Sequence, residues 1–86
     1  MSDIVRLRDG VEWRHVEKQI LALDTNNSTF FNTNPAGALL WSALSEGRTR
    51  EQLADELVAK FKIDSETARR DVEIFLKALA RHSLLA

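Results

Sequence analysis

The sequence predicts an α+β domain: a small antiparallel sheet of three to four strands followed by three helices, in a winged-helix-like arrangement. Two observations carry this expectation. Composition changes once, near Asn34-Pro35, from Val, Ile, Thr, Trp and Phe with turn residues between them to Ala, Leu, Glu, Lys and Arg at helical spacing. The length of 86 residues, 44% of them hydrophobic, suits one modest core and not two, so residues 1–86 are read as a single domain.

Strands are expected within about residues 4–33. Ile4 to Arg8 alternates weakly, and Asp9-Gly10 is a turn signal. Val11 to Glu17 then puts Val11, Trp13 and His15 on one face and Glu12, Arg14 and Val16 on the other. Ile20 to Leu23 is a short apolar run suited to a central strand, and Asp24-Thr25-Asn26-Asn27 reads as a hairpin loop into a last strand, Ser28 to Asn32.

Helices are expected at about 35–45, 50–61 and 65–81. Asn34-Pro35 has the form of a helix start, Asn capping and Pro at the first position, where its missing donor costs nothing. Leu40, Trp41 and Leu44 form the inward stripe, and Gly47 the stop. Thr49-Arg50-Glu51-Gln52 is a capping box opening a second helix with the stripe Leu53, Leu57, Val58 and Phe61. Asp64 or Ser65 caps the third helix, whose stripe is Ala68, Val72, Phe75, Leu76 and Leu79, with Leu84-Leu85 closing behind it.

Several function classes fall away on composition. Without cysteine there is no disulfide, thiolate nucleophile or Cys-based metal site. His15 and His82 lie far apart and lack metal-ligand spacing; Ser42, Ser45 and Thr49 lack a nucleophile context; Gly10, Gly37 and Gly47 are isolated, so no loop cradles phosphate. The acidic pairs Glu51 with Asp55 and Asp71 with Glu73 sit among Lys and Arg, as on a solvated helix face. No enzyme, no cofactor and no metal are expected. A formal net charge of -1 disfavours general nucleic-acid binding. The N-terminus has no signal-peptide core and no stretch is long enough to span a bilayer, so a cytoplasmic protein without a membrane partner is expected.

Two features exceed the needs of a core. With Ala68, Val72, Phe75 and Leu79 inward, Ile74 falls on a flank with Thr67 and Ala78, bordered by Arg70, Lys77 and Arg81. Ile74 either widens the core stripe or lines a groove for a peptide with apolar anchors and acidic residues. Phe30 and Phe31, adjacent on a strand, point to opposite faces, so at most one ring enters the core; the other is a contact surface or packs under the first helix.

The run Ser28-Thr29-Phe30-Phe31-Asn32-Thr33-Asn34-Pro35-Ala36-Gly37-Ala38-Leu39-Leu40-Trp41 resembles the "aromatic pair, Asn-Pro-x-Gly-Ala-x-x-Trp" segment of the PqqD-like proteins. Glu46-Gly47-Arg48-Thr49, Glu51-Gln52-Leu53 and Arg69-Arg70-Asp71-Val72 resemble further stretches of that family in the same order, and the likeness covers roughly residues 4 to 86. The resemblance implies a non-catalytic recognition domain for the leader of a ribosomally made, post-translationally modified precursor peptide. The leader would add as an antiparallel strand to Ser28, Thr29, Phe30, Phe31 and Asn32, with Arg70, Ile74, Lys77 and Ala78 as the opposite wall, and partner enzymes would do the chemistry. The Asn34-Pro35 version is more similar to free-standing proteins of lasso-peptide clusters, where a separate leader-cleaving protease acts next, than to the pyrroloquinoline quinone peptide chaperone, the alternative. It departs from the lasso pattern at Asn32-Thr33, where Gly-Leu is frequent. An exposed sheet edge is also a route to a homodimer. The competing reading is a winged-helix DNA reader using Arg69, Arg70 and Lys77; Asp64, Glu66, Asp71 and Glu73 argue against it.

Overall fold

Turn-forming residues cut the first third of the chain into short strands. In the computed structural model, which describes residues 3–24 and 29–86, these are β1 (Ile4–Val5), β2 (Val11–Val16), β3 (Gln19–Asp24) and β4 (Thr29–Asn32). They are followed by α1 (Pro35–Glu46), β5 (Arg48–Thr49), α2 (Arg50–Phe61) and α3 (Ser65–Arg81). β2, β3 and β4 form one antiparallel sheet in that order. The Ile4 segment does not join it: β1 pairs with β5 as a separate two-stranded sheet, Ile4 opposite Thr49 and Val5 opposite Arg48. β5 has no strand signature of its own, because two residues show no period and Thr49 is also the cap of α2.

Asp24, expected in a hairpin loop, instead ends β3 at 2% exposure, and its Oδ2 lies 2.8 Å from Nη2 of Arg8. A carboxylate so desolvated has to be paired, which is why it sits under an arginine. The rest of that loop, Thr25, Asn26 and Asn27, lies outside the described residues, as does Ser28. Arg8 also donates through Nε to the Ser83 carbonyl at 2.7 Å and through its backbone N–H to that of Leu84 at 2.8 Å. One residue thus ties the end of β3 to the tail behind α3, where Leu7 pairs with Leu85.

Strand alternation sorts the sheet into two faces. Ile20, Ala22 and Asp24 of β3 are buried toward the helices, while Leu21 and Leu23 point the other way. Val11 and Trp13 share the inner face and pack on the core. His15, expected beside them, is exposed at the margin, edge-on to Trp13 and 3.4 Å from Ser42 Oγ, because the core ends there.

The helix starts follow their local chemistry. Asn34 Oδ1 accepts from the Gly37 N–H at 2.7 Å with Pro35 at the first position, and Gly47, φ 88°, ends α1. Thr49 Oγ1 accepts from Gln52 N–H at 3.1 Å while Gln52 Oε1 accepts from Thr49 N–H at 3.0 Å. Asp64, not Ser65, caps α3, accepting from Thr67 N–H at 2.7 Å. The stripes Leu40, Trp41, Leu44, Leu53, Leu57, Ala68, Val72, Leu76 and Leu79 meet Ile20, Ala22 and Leu84 in one core. Phe61, expected there, is 38% exposed: it is the last residue of α2, and the chain turns away at Lys62 with φ 55°. Phe75 is half-buried and belongs to the site described below.

Trp41 is fully buried, and its indole Nε1 has no hydrogen-bond partner among the described residues. An unmatched buried donor costs about 1–3 kcal/mol. Burying an indole of roughly 150–250 Å² returns about 4–6 kcal/mol at 25 cal/mol per Å², so the ring still anchors the core.

Thr33 closes the end of the sheet. It is buried, its Oγ1 accepts from Ile20 N–H at 3.0 Å, and its own N–H donates to the Ile20 carbonyl at 3.1 Å. Thr33→Val keeps the shape and removes the acceptor, so urea denaturation is expected to show a loss of about 1–3 kcal/mol; an unchanged midpoint would mean that water reaches the Ile20 N–H.

The α3 cap sets an acid response. The Thr67 backbone N–H, then its hydroxyl, and more weakly the Arg70 charge hold the Asp64 carboxyl below its ordinary value of 3.8, outweighing a small opposing desolvation. A folded-state pKa below the unfolded one gives stability that is complete above about pH 4 and lost as pH falls through the lowered value. Asp64→Asn keeps a capping oxygen but cannot titrate. Its urea midpoint is therefore expected to fall less than the wild-type midpoint below about pH 4; parallel decline would show that Asp64 plays no part in acid sensitivity.

Candidate functional site

β4 has β3 on one side and no strand on the other among the described residues. Its register places Phe31 opposite Ala22, Phe30 opposite Leu23 and Asn32 opposite Leu21. Thr33 donates its N–H to Ile20, so its backbone faces β3, and antiparallel alternation then turns the backbone groups of Phe31 toward β3 and those of Phe30 and Asn32 toward the open edge. Among the described residues the edge therefore offers the donor–acceptor groups of Phe30 and Asn32.

Phe31 fixes how far this edge stands from the helices. Its ring stacks on Trp41 of α1 at 5.9 Å, meets Phe75 of α3 at 6.4 Å and meets His82, the C-cap of α3, at 5.4 Å. Trp13 meets Trp41 edge-on at 6.1 Å from the other side. Sheet, α1 and α3 are thereby held apart by rings that resist collapse.

Past the end of β4 a cavity of about 310 Å³ opens between the first turn of α1 and α3. Buried Leu40 and Leu57 are among its lining, with Asn34, Ala36 and Gly37 on one side and Asp71, Ile74, Phe75 and Ala78 on the other. Gly37 permits the close approach of α1 to α3 beside it: a Cβ there would stand 3.1 Å from the Phe75 ring and 3.0 Å from Thr33 Cβ.

The site residues expected from sequence divide accordingly. Phe31 is the ring that turns inward, whereas Phe30 is 64% exposed on the outer face. Ile74 is 61% exposed and lines the cavity with Ala78, so it does not simply widen the core stripe. Arg70 and Lys77 are exposed but stand outside the cavity lining, where the charged residue is Asp71. Thr29 pairs with Asp24, and Ser28 falls outside the described residues. Sequence reasoning missed Asn34, Gly37, Phe75, Asp71 and His82 as site residues. Helical spacing alone puts Phe75 in the core stripe, and a glycine inside a helix, Gly37, is the local signal that points to close approach.

Among the described residues no cluster of three or more His, Cys, Asp or Glu could hold a metal ion. What the groove offers is an unpaired strand edge beside an apolar cavity, the apparatus for holding an extended chain. No helix of the described residues is long and apolar enough to cross a membrane.

Comparison with known proteins gives the family. Residues 19–85 match the family described as coenzyme PQQ synthesis protein D, PqqD, and the chain belongs to the PqqD family. It is similar to the solved structure of TbiB1 in complex with the TbiA(beta) leader peptide: 32% identity, 93% of each chain covered, TM-score 0.87. The fold is shared with a lasso peptide synthetase B1 complexed with the leader peptide (20% identity, 95% and 96% covered, TM-score 0.84). It is shared too with the PqqD truncation of Methylobacterium extorquens PqqCD, a stand-alone RiPP recognition element (23% identity, 99% and 90% covered, TM-score 0.78). No curated protein matches the chain at a comparable level.

The two adjacent phenylalanines should part company on truncation. Phe31→Ala removes the ring shared by three elements and is expected to cost about 3 kcal/mol, while Phe30→Ala is expected to stay within about 0.5 kcal/mol. Equal losses in urea denaturation would mean that both rings are packed.

Proposed function

We propose that this domain recognises, without catalysis, the leader of a ribosomally made precursor peptide and delivers it to separate processing enzymes in lasso-peptide maturation. The leader adds to β4 as an antiparallel strand and lies between β4 and α3. The observation that carries this reading is the open edge of β4, which Phe31 spaces from α3, standing beside an apolar cavity lined by α1 and α3. Main-chain pairing supplies affinity with little demand on sequence, and the cavity supplies selection. The 32% identical TbiB1, solved with a leader peptide, supports the same use of the fold.

Antiparallel addition brings the peptide's N-terminal part past Asn32 toward the cavity, where an apolar side chain would rest on Leu40, Leu57 and Ile74. Phe30, Phe31, Asn32, Ile74 and Ala78 are the contacts of this reading, with Thr29 at the start of the receiving strand. Arg70 and Lys77 serve as an outer basic rim for acidic residues of the leader. A DNA-binding role has less support, since α3 carries exposed Glu66, Asp71 and Glu73 and its Glu73 is paired with Arg50 at 2.9 Å.

The test uses the TbiA(beta) leader peptide and a displayed library of random peptides as probes, with random duplex DNA as control. On saturation, hydrogen exchange at the Phe30 and Asn32 amides should slow strongly while that of Phe31, already turned toward β3, changes less. Uniform slowing, or none, would contradict addition at this edge. Ile74→Glu is expected to weaken peptide binding about tenfold or more, by placing a charge in an apolar contact, with little change in melting temperature because the position is exposed. A sharp fall in melting temperature would instead return Ile74 to the core.

A further inference from the structure

The sheet has a second face, turned away from the helices. On it the rows run Glu12–Leu23–Phe30 and Arg14–Leu21–Asn32 across β2, β3 and β4. Leu21 and Leu23 are half-buried, Phe30 stands 64% exposed, and with Glu12 and Arg14 they line a shallow cavity of about 330 Å³. A sheet face that meets only water alternates to polar residues. Here the central strand and the Phe30 position of β4 stay apolar.

We propose that this outer face is a second side-chain subsite for the peptide strand added to β4, one that takes a long apolar side chain. The inference rests on strand addition at β4 as argued above and extends it to the opposite side of the same strand. Residues of an added antiparallel strand that pair with Phe30 and Asn32 necessarily project on the outer face, while the residue opposite Phe31 projects toward α3. The occupant of the face is thus continuous with the occupant of the groove.

The rows also say what fits. Opposite Asn32, a long aliphatic or aromatic side chain can lie across the short amide toward Leu21 with its flank on the Phe30 ring, a diagonal contact of the kind that reaches about 7–8 Å across neighbouring strands. Among the described residues the charges lining this cavity are Glu12 and Arg14, opposite in sign and on the far strand, so together they offer no net charge to an ionic side chain. The selected peptide therefore carries apolar residues on both sides of its backbone, at positions an odd number of residues apart. One grips the α3 groove and one grips the outer face.

The test selects random twelve-residue peptides, displayed as a library, separately on the wild-type domain and on Phe30→Ser, and measures the winners by fluorescence anisotropy. Wild-type winners should show two apolar positions of opposite parity, and selection on Phe30→Ser should keep one and lose the other. A wild-type winner should bind Phe30→Ser about tenfold or more weakly at unchanged melting temperature, and Leu21→Thr, which keeps a strand-forming residue, should weaken it in the same direction. Winners that bind wild type, Phe30→Ser and Leu21→Thr equally would overturn the outer subsite and leave the groove reading standing. Failure of the wild-type domain to capture any peptide would remove both. Sedimentation showing a peptide-free dimer that Phe30→Ser dissolves would assign the face to a second copy and also overturn the proposal.

Discussion

The packing of Phe31 between Trp41, Phe75 and His82 is the contact on which the rest of this structure depends. A three-stranded sheet and three helices could close on one another until no groove remained, and burial of apolar surface favours that closure. Rings of fixed size at centroid separations of 5.4 to 6.4 Å set a floor to the approach of β4 and α3. Trp13 and Trp41 continue the same stack to the far strand, so the spacing is shared by the whole sheet.

A second constraint works through polar groups at the sheet's ends. Arg8 neutralises the buried Asp24 at one end of β3 and grips the tail behind α3, and Thr33 ties the end of β4 to Ile20. Each interaction costs the desolvation of a polar group and is worth having only because the partner is in place. Together they hold the edge strand against the core without occupying its free side. An edge so anchored keeps the backbones of Phe30 and Asn32 available to an incoming strand.

The adjacent Phe30 and Phe31 show how one strand serves both structure and recognition. Alternation sends one ring to the helices, where it is structural, and the other to the outer face, where it is exposed. The same alternation applies to any strand added beside them. Under the proposed strand addition, the groove of Ile74 and Ala78 would face one row of side chains, and Leu21, Leu23 and Phe30 the other.

The sequence by itself determined the elements whose signals are local. Asn34-Pro35, Thr49 with Gln52, and the pair Asp64-Ser65 mark three helix starts because a cap needs only the next three residues, and the structure selects Asp64 for the third. The stripe from Ala68 to Leu79 fixes α3's buried face for the same reason, and the odd placement of Ile74 on its flank was legible from helical period alone. Only the tertiary structure decided what depends on partners distant in the chain. Arg48-Thr49 becomes a strand because Ile4 and Val5 reach it, and Asp24 leaves the loop for the interior because Arg8 meets it. Thr33, where the family resemblance favours Leu, is buried through its hydroxyl because Ile20 presents an N–H there. The lining of the groove follows the same rule: Asp71 replaces Arg70 and Lys77 at the cavity, and Gly37 and Phe75 join it, since which residues of α3 face the start of α1 depends on how two helices dock and not on either helix's own pattern.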